Sequence, residues 1–203
     1  MIPEDFRTRT GLGAEPMERL TVYADLLIRW QQRINLVGPN TIPDLWRRHM
    51  LDSWQLYPLL PPTAHRLVDL GSGAGFPGLV LAILGAPDPH LIESDSRKAA
   101  FLREAARATG TEITVHTERI EKVSPLGADI VTARALAPLA KLLPWADRHL
   151  APGGHCLFLK GAGAEDELTE AAKDWMMTCR RTRSITDPSG LILDLEEVRR
   201  GRA

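Results

Sequence analysis

The stretch HRLVDLGSGAGFPGLVLAI, from His65 to Ile83, restricts the fold of this chain more than any other. A short apolar run that carries Asp69 meets Gly71, Gly73, Gly75 and Gly78 at once, then turns into a helix-like apolar segment. A packed core gains nothing from glycines so close together. Without a Cβ they let the main chain approach something bulky and polar. A strand, a glycine turn and a helix in that order form the first unit of an open parallel sheet. Ligands of such sheets bind outside the carboxyl ends of the strands, where strand order reverses. A tight structural turn with no ligand is the alternative.

The rest of the chain extends this unit. After RLVDL and a helix over Pro77 to Leu84 come the strand HLIES, a serine-capped helix from Ser96 to Thr109, the strand TEITVH and the strand ADIVTA. A helix over Pro138 to Leu150, a PGG turn and the strand HCLFLK follow. Alternation of this kind gives a parallel sheet with helices on both faces. RRTRSI, the turn DPSG and LILDLEEV read instead as a hairpin, which adds an antiparallel edge. Ahead of the sheet, Leu20, Tyr23, Leu27, Trp30 and Ile34 stripe one face of a helix over 15–35. A second helix is expected from Ile42 to Tyr57, closed by Pro61 and Pro62. The expectation is an α/β fold of about seven strands: residues 1–62 form an N-terminal helical extension of two helices, and residues 63–203 the α/β domain, in one compact unit.

With 203 residues, 44% hydrophobic, the chain suits one globular domain. No apolar run is long enough for a membrane span, and the first residues lack the pattern of a signal peptide. Cys156 and Cys179 have no metal-type spacing, and no metal is expected. A cytoplasmic protein with reduced thiols follows. The formal charge of −1 excludes a globally basic nucleic-acid binder but leaves room for a local basic face.

Two alignments of the glycine loop compete. Gly73, Gly75 and Gly78 fit the dinucleotide fingerprint G-x-G-x-x-G, whereas Asp69, Gly71, Gly73 and Gly75 fit D-x-G-x-G-x-G, the loop of S-adenosylmethionine enzymes. An aspartate repels a pyrophosphate and attracts an ammonium or a sulfonium, which favours the second alignment. Glu93, at the end of the second strand, can accept hydrogen bonds from both hydroxyls of a ribose, and serves either cofactor.

The loop, together with Trp30, Asn35-Leu36, RHMLDS from Arg48 to Ser53, SRKAAFL, ERIE, ARA, PGG and LKG, resembles the bacterial ribosomal-RNA small-subunit methyltransferase G (glucose-inhibited division protein B) family over roughly residues 20–165. The resemblance implies a Rossmann-like S-adenosylmethionine-dependent methyltransferase fold. It also implies methyl transfer to N7 of a guanine in 16S rRNA, with the rRNA or the small-subunit particle as partner. Matching positions place cofactor contacts on Gly71, Phe76, Ile120, Glu121 and Arg134; the loop chemistry adds Asp69, Gly73 and Glu93. The second-strand acid is usually aspartate in relatives, and the extra methylene of Glu93 would loosen the ribose contact. The last 40 residues carry little of the resemblance.

Guanine N7 keeps an in-plane lone pair and loses no proton on methylation, so placement suffices and no general base is needed. TARALAPL after the fourth strand lacks the Pro-Pro-aromatic segment used for exocyclic amines, and neither cysteine sits in a turn suited to pyrimidine attack. Arg134 is the candidate catalytic residue, with a salt bridge to an acid such as Glu121 as its alternative role. Arg97, Lys98, Arg119 and Lys160 follow strands and form a candidate RNA-binding rim, although any one of them can be an ordinary solvated charge. His49 is either a satisfied core histidine or, with Asp52, a brace against the loop. Phe76 either covers an adenine or packs beneath it. Other readings are a dinucleotide oxidoreductase and a non-catalytic ribosome-assembly protein. A monomer is expected.

Overall fold

The computed structural model describes residues 1–201. Its centre is β1 (Leu67–Leu70), all four residues buried, paired in parallel with β2 (Pro89–Ile92) and with β4 (Ala128–Arg134). Beyond β2 lies β3 (Thr114–His116); beyond β4 lies β5 (Leu150–Lys160), also parallel. The antiparallel hairpin expected at the end is present as β6 (Trp175–Arg183) and β7 (Leu191–Arg200), with β7 against β5. The seven strands run in the order β3-β2-β1-β4-β5-β7-β6, so order reverses between β1 and β4, directly above the glycine loop.

Helices cover both faces. On one, α4 (Gly78–Ile83) and α5 (Ser96–Thr109) share a core with α1 (Pro3–Thr10) and α2 (Ala14–Gln31). The stripe on α2 is buried as its period requires: Leu20, Tyr23 and Leu27 are fully buried, and Trp30 meets Phe101 edge-on. On the other face α6 (Leu139–His149) and α7 (Ala164–Ala171) cover β4, β5 and β7.

Three local expectations change. The helix expected over Ile42–Tyr57 is a 3₁₀ turn (Pro39–Asp44), a π-helical turn (Trp46–Leu51), α3 (Asp52–Trp54) and a second 3₁₀ turn (Tyr57–Leu59). Pro43 and Pro58 have no amide hydrogen and cannot continue an α-helical ladder. The cap of α5 is Asp95, not Ser96: its Oδ1 accepts from the amides of Arg97 at 2.8 Å and Lys98 at 3.3 Å. The PGG segment lies inside β5, where the register with β4 shifts. Gly154 is obligatory there, since a Cβ would stand 2.7 Å from the Ala128 carbonyl. Two helices, α1 and α7, had no sequence expectation.

Candidate active site

The carboxyl ends of β1, β2 and β4 open into a cleft of about 930 Å³. The loop after β1 forms its floor. Gly71 and Gly73 adopt left-handed conformations at φ 63° and 55°, and a Cβ on Gly71 would stand 2.5 Å from the Leu136 side chain. The amide of Gly73 donates to Glu93 Oε2 at 2.8 Å, and that of Asp95 donates to Glu93 Oε1 at 2.7 Å. Glu93 thus ties the glycine loop to the start of α5 while lining the cleft. Its extra methylene does not leave it loose, because two main-chain amides fix the carboxylate. Ile120 and the exposed Glu121 line the same cleft from the segment after β3.

Asp69 stands elsewhere than expected. Its side chain is completely buried behind the loop and is absent from the cleft lining. Oδ1 accepts from Thr132 Oγ1 at 2.7 Å, and Gly78 lies directly against the carboxyl. The acid therefore supports the loop from below and does not reach the cleft. Burial pushes its carboxyl up from 3.8 to about 6, against the hydrogen bonds to Thr132, Ser72 and Gly78. The folded state consequently binds this proton more tightly than the unfolded chain. The stabilisation is complete below pH 4 and is lost as pH rises through about 6; the loss is at most about 3 kcal/mol. Asp69→Asn cannot ionise. In denaturant titrations of the cofactor-free protein, wild type should lose stability relative to this variant between pH 4 and 7, and parallel curves would contradict the burial account.

Arg134 ends β4 and reaches across the cleft mouth to the π-helical turn. Its Nη1 donates to the Arg48 carbonyl at 3.0 Å and to Asp52 Oδ2 at 3.2 Å, and its Nη2 donates to His49 Nδ1 at 2.8 Å. The acid that holds it is Asp52, not Glu121. An arginine can only donate, so His49 Nδ1 accepts. The Thr41 hydroxyl donates to the Gly38 carbonyl at 2.7 Å, which leaves its oxygen to accept from His49 Nε2, also at 2.7 Å. His49 is the neutral Nε2–H tautomer. Burial, with Arg134 and Arg48 nearby, lowers its pKa to about 3. Below the guanidinium, whose Cζ is 5.0 Å from the ring centroid, Phe76 stacks on His49 and packs against Tyr23. Phe76 is 4% exposed and forms part of the cleft lining from below, packed between His49 and Tyr23. Ala135, the next residue after Arg134, has φ 49°, a left-handed strain beside the site. Of the brace expected against the loop, His49 alone makes contact, through Phe76, whereas Asp52 bonds Arg134, Gln55 and Thr186.

Of the four basic residues, Lys98 and Arg119 stand at the cleft and at an adjoining shallow depression, and Arg97 is exposed on the first turn of α5. Lys160 is different. Its side chain is only 8% exposed, donates to the Ala137 carbonyl at 2.7 Å and pairs with Glu167 at 2.6 Å. It cross-links the cleft wall to α7 and is no free phosphate contact. Cys156 is a buried thiol, raised in pKa by burial. Arg180 pairs with Asp194 and Glu196 across β6 and β7.

Sequence reasoning missed the cleft wall supplied by the β6–β7 turn. Thr186 Oγ1 donates to Asp52 Oδ1 at 2.5 Å, between residues 134 positions apart. No periodicity or spacing could have found it.

This strand order, with a glycine loop at the reversal and an anchored acid after β2, defines a Rossmann-like S-adenosylmethionine-dependent methyltransferase. Solved structures agree on the fold. A SAM-dependent methyltransferase from Aquifex aeolicus superposes with TM-score 0.60 at 15% identity, over 79% of this chain and 98% of that one. TYW2 of M. jannaschii, solved in complex with AdoMet, gives TM-score 0.59 at 15% identity, over 84% of this chain and 80% of that one. The model of the rRNA small subunit methyltransferase G family matches residues 16–190, further toward the end than the motifs quoted above. The ribosomal RNA small subunit methyltransferase G of Paramagnetospirillum magneticum is 68% identical over 203 residues, 100% of this chain and 99% of its own. That of Rhodospirillum rubrum is 53% identical over 98% of this chain and 100% of its own. The chain belongs to the ribosomal RNA small subunit methyltransferase G family. Among the described residues no helix is long and apolar enough to cross a membrane.

Proposed function

We propose that this protein transfers a methyl group from S-adenosylmethionine to N7 of a guanine in 16S rRNA, as a cytoplasmic monomer acting on the rRNA or on a small-subunit particle. The observation that carries this reading is the state of the groups around Arg134. His49 Nδ1 and Asp52 Oδ2 are both engaged by the guanidinium. His49 has no ring lone pair left and Asp52 is held as the ion-pair partner of the arginine, an arrangement suited to methylation at N7, which releases no proton.

The cleft fits the cofactor. Left-handed glycines leave main chain open at Gly71 and Gly73, and Glu93, held through one bond at each oxygen, keeps lone pairs for ribose hydroxyls. When bound, S-adenosylmethionine supplies an electrophilic methyl. The protein's own part is placement. Arg134, fixed on three sides, offers its remaining N–H groups to guanine O6, a neighbouring phosphate or the cofactor. Lys98, Arg119 and Arg97 supply positive charge at the rim for RNA phosphates. Gly78 packs the start of α4 against Asp69 of β1, a helix–strand contact that either alignment of the loop allows and that favours neither.

Thermal melting with S-adenosylmethionine, its demethylated product and NAD, followed by methyl transfer to 16S rRNA from cells lacking the gene, tests the reading. S-adenosylmethionine at 100 times its Kd should add about 2.7 kcal/mol of stability, and one guanine should become methylated at N7. Stabilisation by NAD alone would make the protein a dinucleotide enzyme. Stabilisation without methylation would make it a non-catalytic binding protein.

A further inference from the structure

The turn between β6 and β7 does more than reverse the chain. Ser184, Thr186, Asp187 and Gly190 line the same cleft as the glycine loop. A partly buried polar network secures the turn. Gln55, 5% exposed, donates through Nε2 to Asp52 Oδ1 at 2.9 Å and to Ser184 Oγ at 3.2 Å, and its Oε1 accepts from the Ile185 amide at 3.0 Å. Thr186, also 5% exposed, lies 2.9 Å from Ser184 Oγ and donates its hydroxyl proton to Asp52 Oδ1.

Both donors meet on one oxygen of Asp52. They leave Oδ2 as the acceptor for Arg134. With two donors on Oδ1, Asp52 keeps Oδ2 turned toward the arginine, so the turn joins the Arg48 carbonyl and His49 in setting the direction of the guanidinium. We infer that Thr186 and Gln55 are positioning residues of the methyl-transfer site, acting through Asp52 to aim Arg134, and that the β6–β7 turn is thereby part of the active site. None of the three needs to touch substrate. A partly buried network in which each member is hydrogen-bonded to the others favours one arrangement of them.

The inference rests on the methyltransferase reading, and two measurements keep the two apart. Thr186→Val preserves shape and removes the donor; Thr186→Ser restores it. At saturating S-adenosylmethionine and rRNA, Thr186→Val should lower kcat about five- to tenfold, and Thr186→Ser should recover most of the rate. In an Arg134→Ala background Thr186→Val should cost nothing further. An equal loss in both backgrounds would reduce Thr186 to a structural residue and overturn the inference. The second readout needs no turnover: NMR of ¹⁵N-arginine-labelled protein should show restricted Arg134 Nη–H signals in wild type that average out in Thr186→Val. Unchanged Arg134 signals would overturn the positioning role even if wild type transferred no methyl group, and absence of transfer with altered signals would condemn only the reaction.

Discussion

Arg134→Ala should melt close to wild type yet lose methylation tens- to hundreds-fold, about 2–3 kcal/mol in transition-state terms. Folding is spared because the guanidinium sits at the cleft mouth, where water can replace it on the Arg48 carbonyl, Asp52 and His49. Rate is not spared, because water cannot hold a fixed direction. The common arginine–guanine contact is bidentate, to O6 and N7. That geometry would occupy the lone pair that must receive the methyl group. Here both hydrogens of Nη1 are already committed to the Arg48 carbonyl and Asp52, and one of Nη2 to His49, which closes the end-on fork to the base. Arg134→Lys should restore only part of the rate, since an ammonium cannot satisfy Arg48, Asp52 and His49 in one plane and still point into the cleft. Near-wild-type kcat for the alanine variant at saturating cofactor and RNA would remove Arg134 from the mechanism.

The cofactor half of this site was legible in the sequence because it is local. Glycine spacing, the strand before it and the acid after the next strand are neighbours along the chain, and the sheet order follows from alternation. Arg134 was legible only as a position at a strand end. Its cradle draws on residues 48–52 and, through Asp52, on Thr186. Such contacts leave no periodic trace. Lys160 misled for a related reason: its partner Glu167 lies on α7, a helix the pattern did not announce, so the lysine read as free. Asp69 misled through direction. An acid beside a glycine loop reads as a ligand contact, but strand alternation decides which way its side chain turns, and here that is toward Thr132 and the start of α4.

Gly78→Ala should destabilise the protein by about 3 kcal/mol, although alanine in place of a helical glycine ordinarily gains up to about 1 kcal/mol. The reversal comes from Asp69. A Cβ on Gly78 would stand 2.6 Å from Asp69 Cβ, 2.8 Å from Cγ and 2.7 Å from Oδ2. Asp69 cannot retreat, since β1 is paired on both sides, with Leu91 and Thr132 opposite it. Nor can α4 lift away without opening the core around Leu79 and Val80, both completely buried. Gly73→Ala makes the contrast. Its Cβ would find nothing nearer than 3.8 Å, and only its φ of 55° opposes alanine, at about 1–2 kcal/mol. Urea unfolding should therefore separate the two glycines cleanly. Gly78→Ala should lose stability with or without S-adenosylmethionine, whereas Gly73→Ala should fold and lose mainly the stabilisation that the cofactor confers. Adding Asp69→Ala to Gly78→Ala removes the Cγ and Oδ2 clashes but not the one at Cβ, so rescue should be partial. Complete rescue would mean that the carboxyl group, and not the close approach of α4 to β1, is what demands glycine at this position.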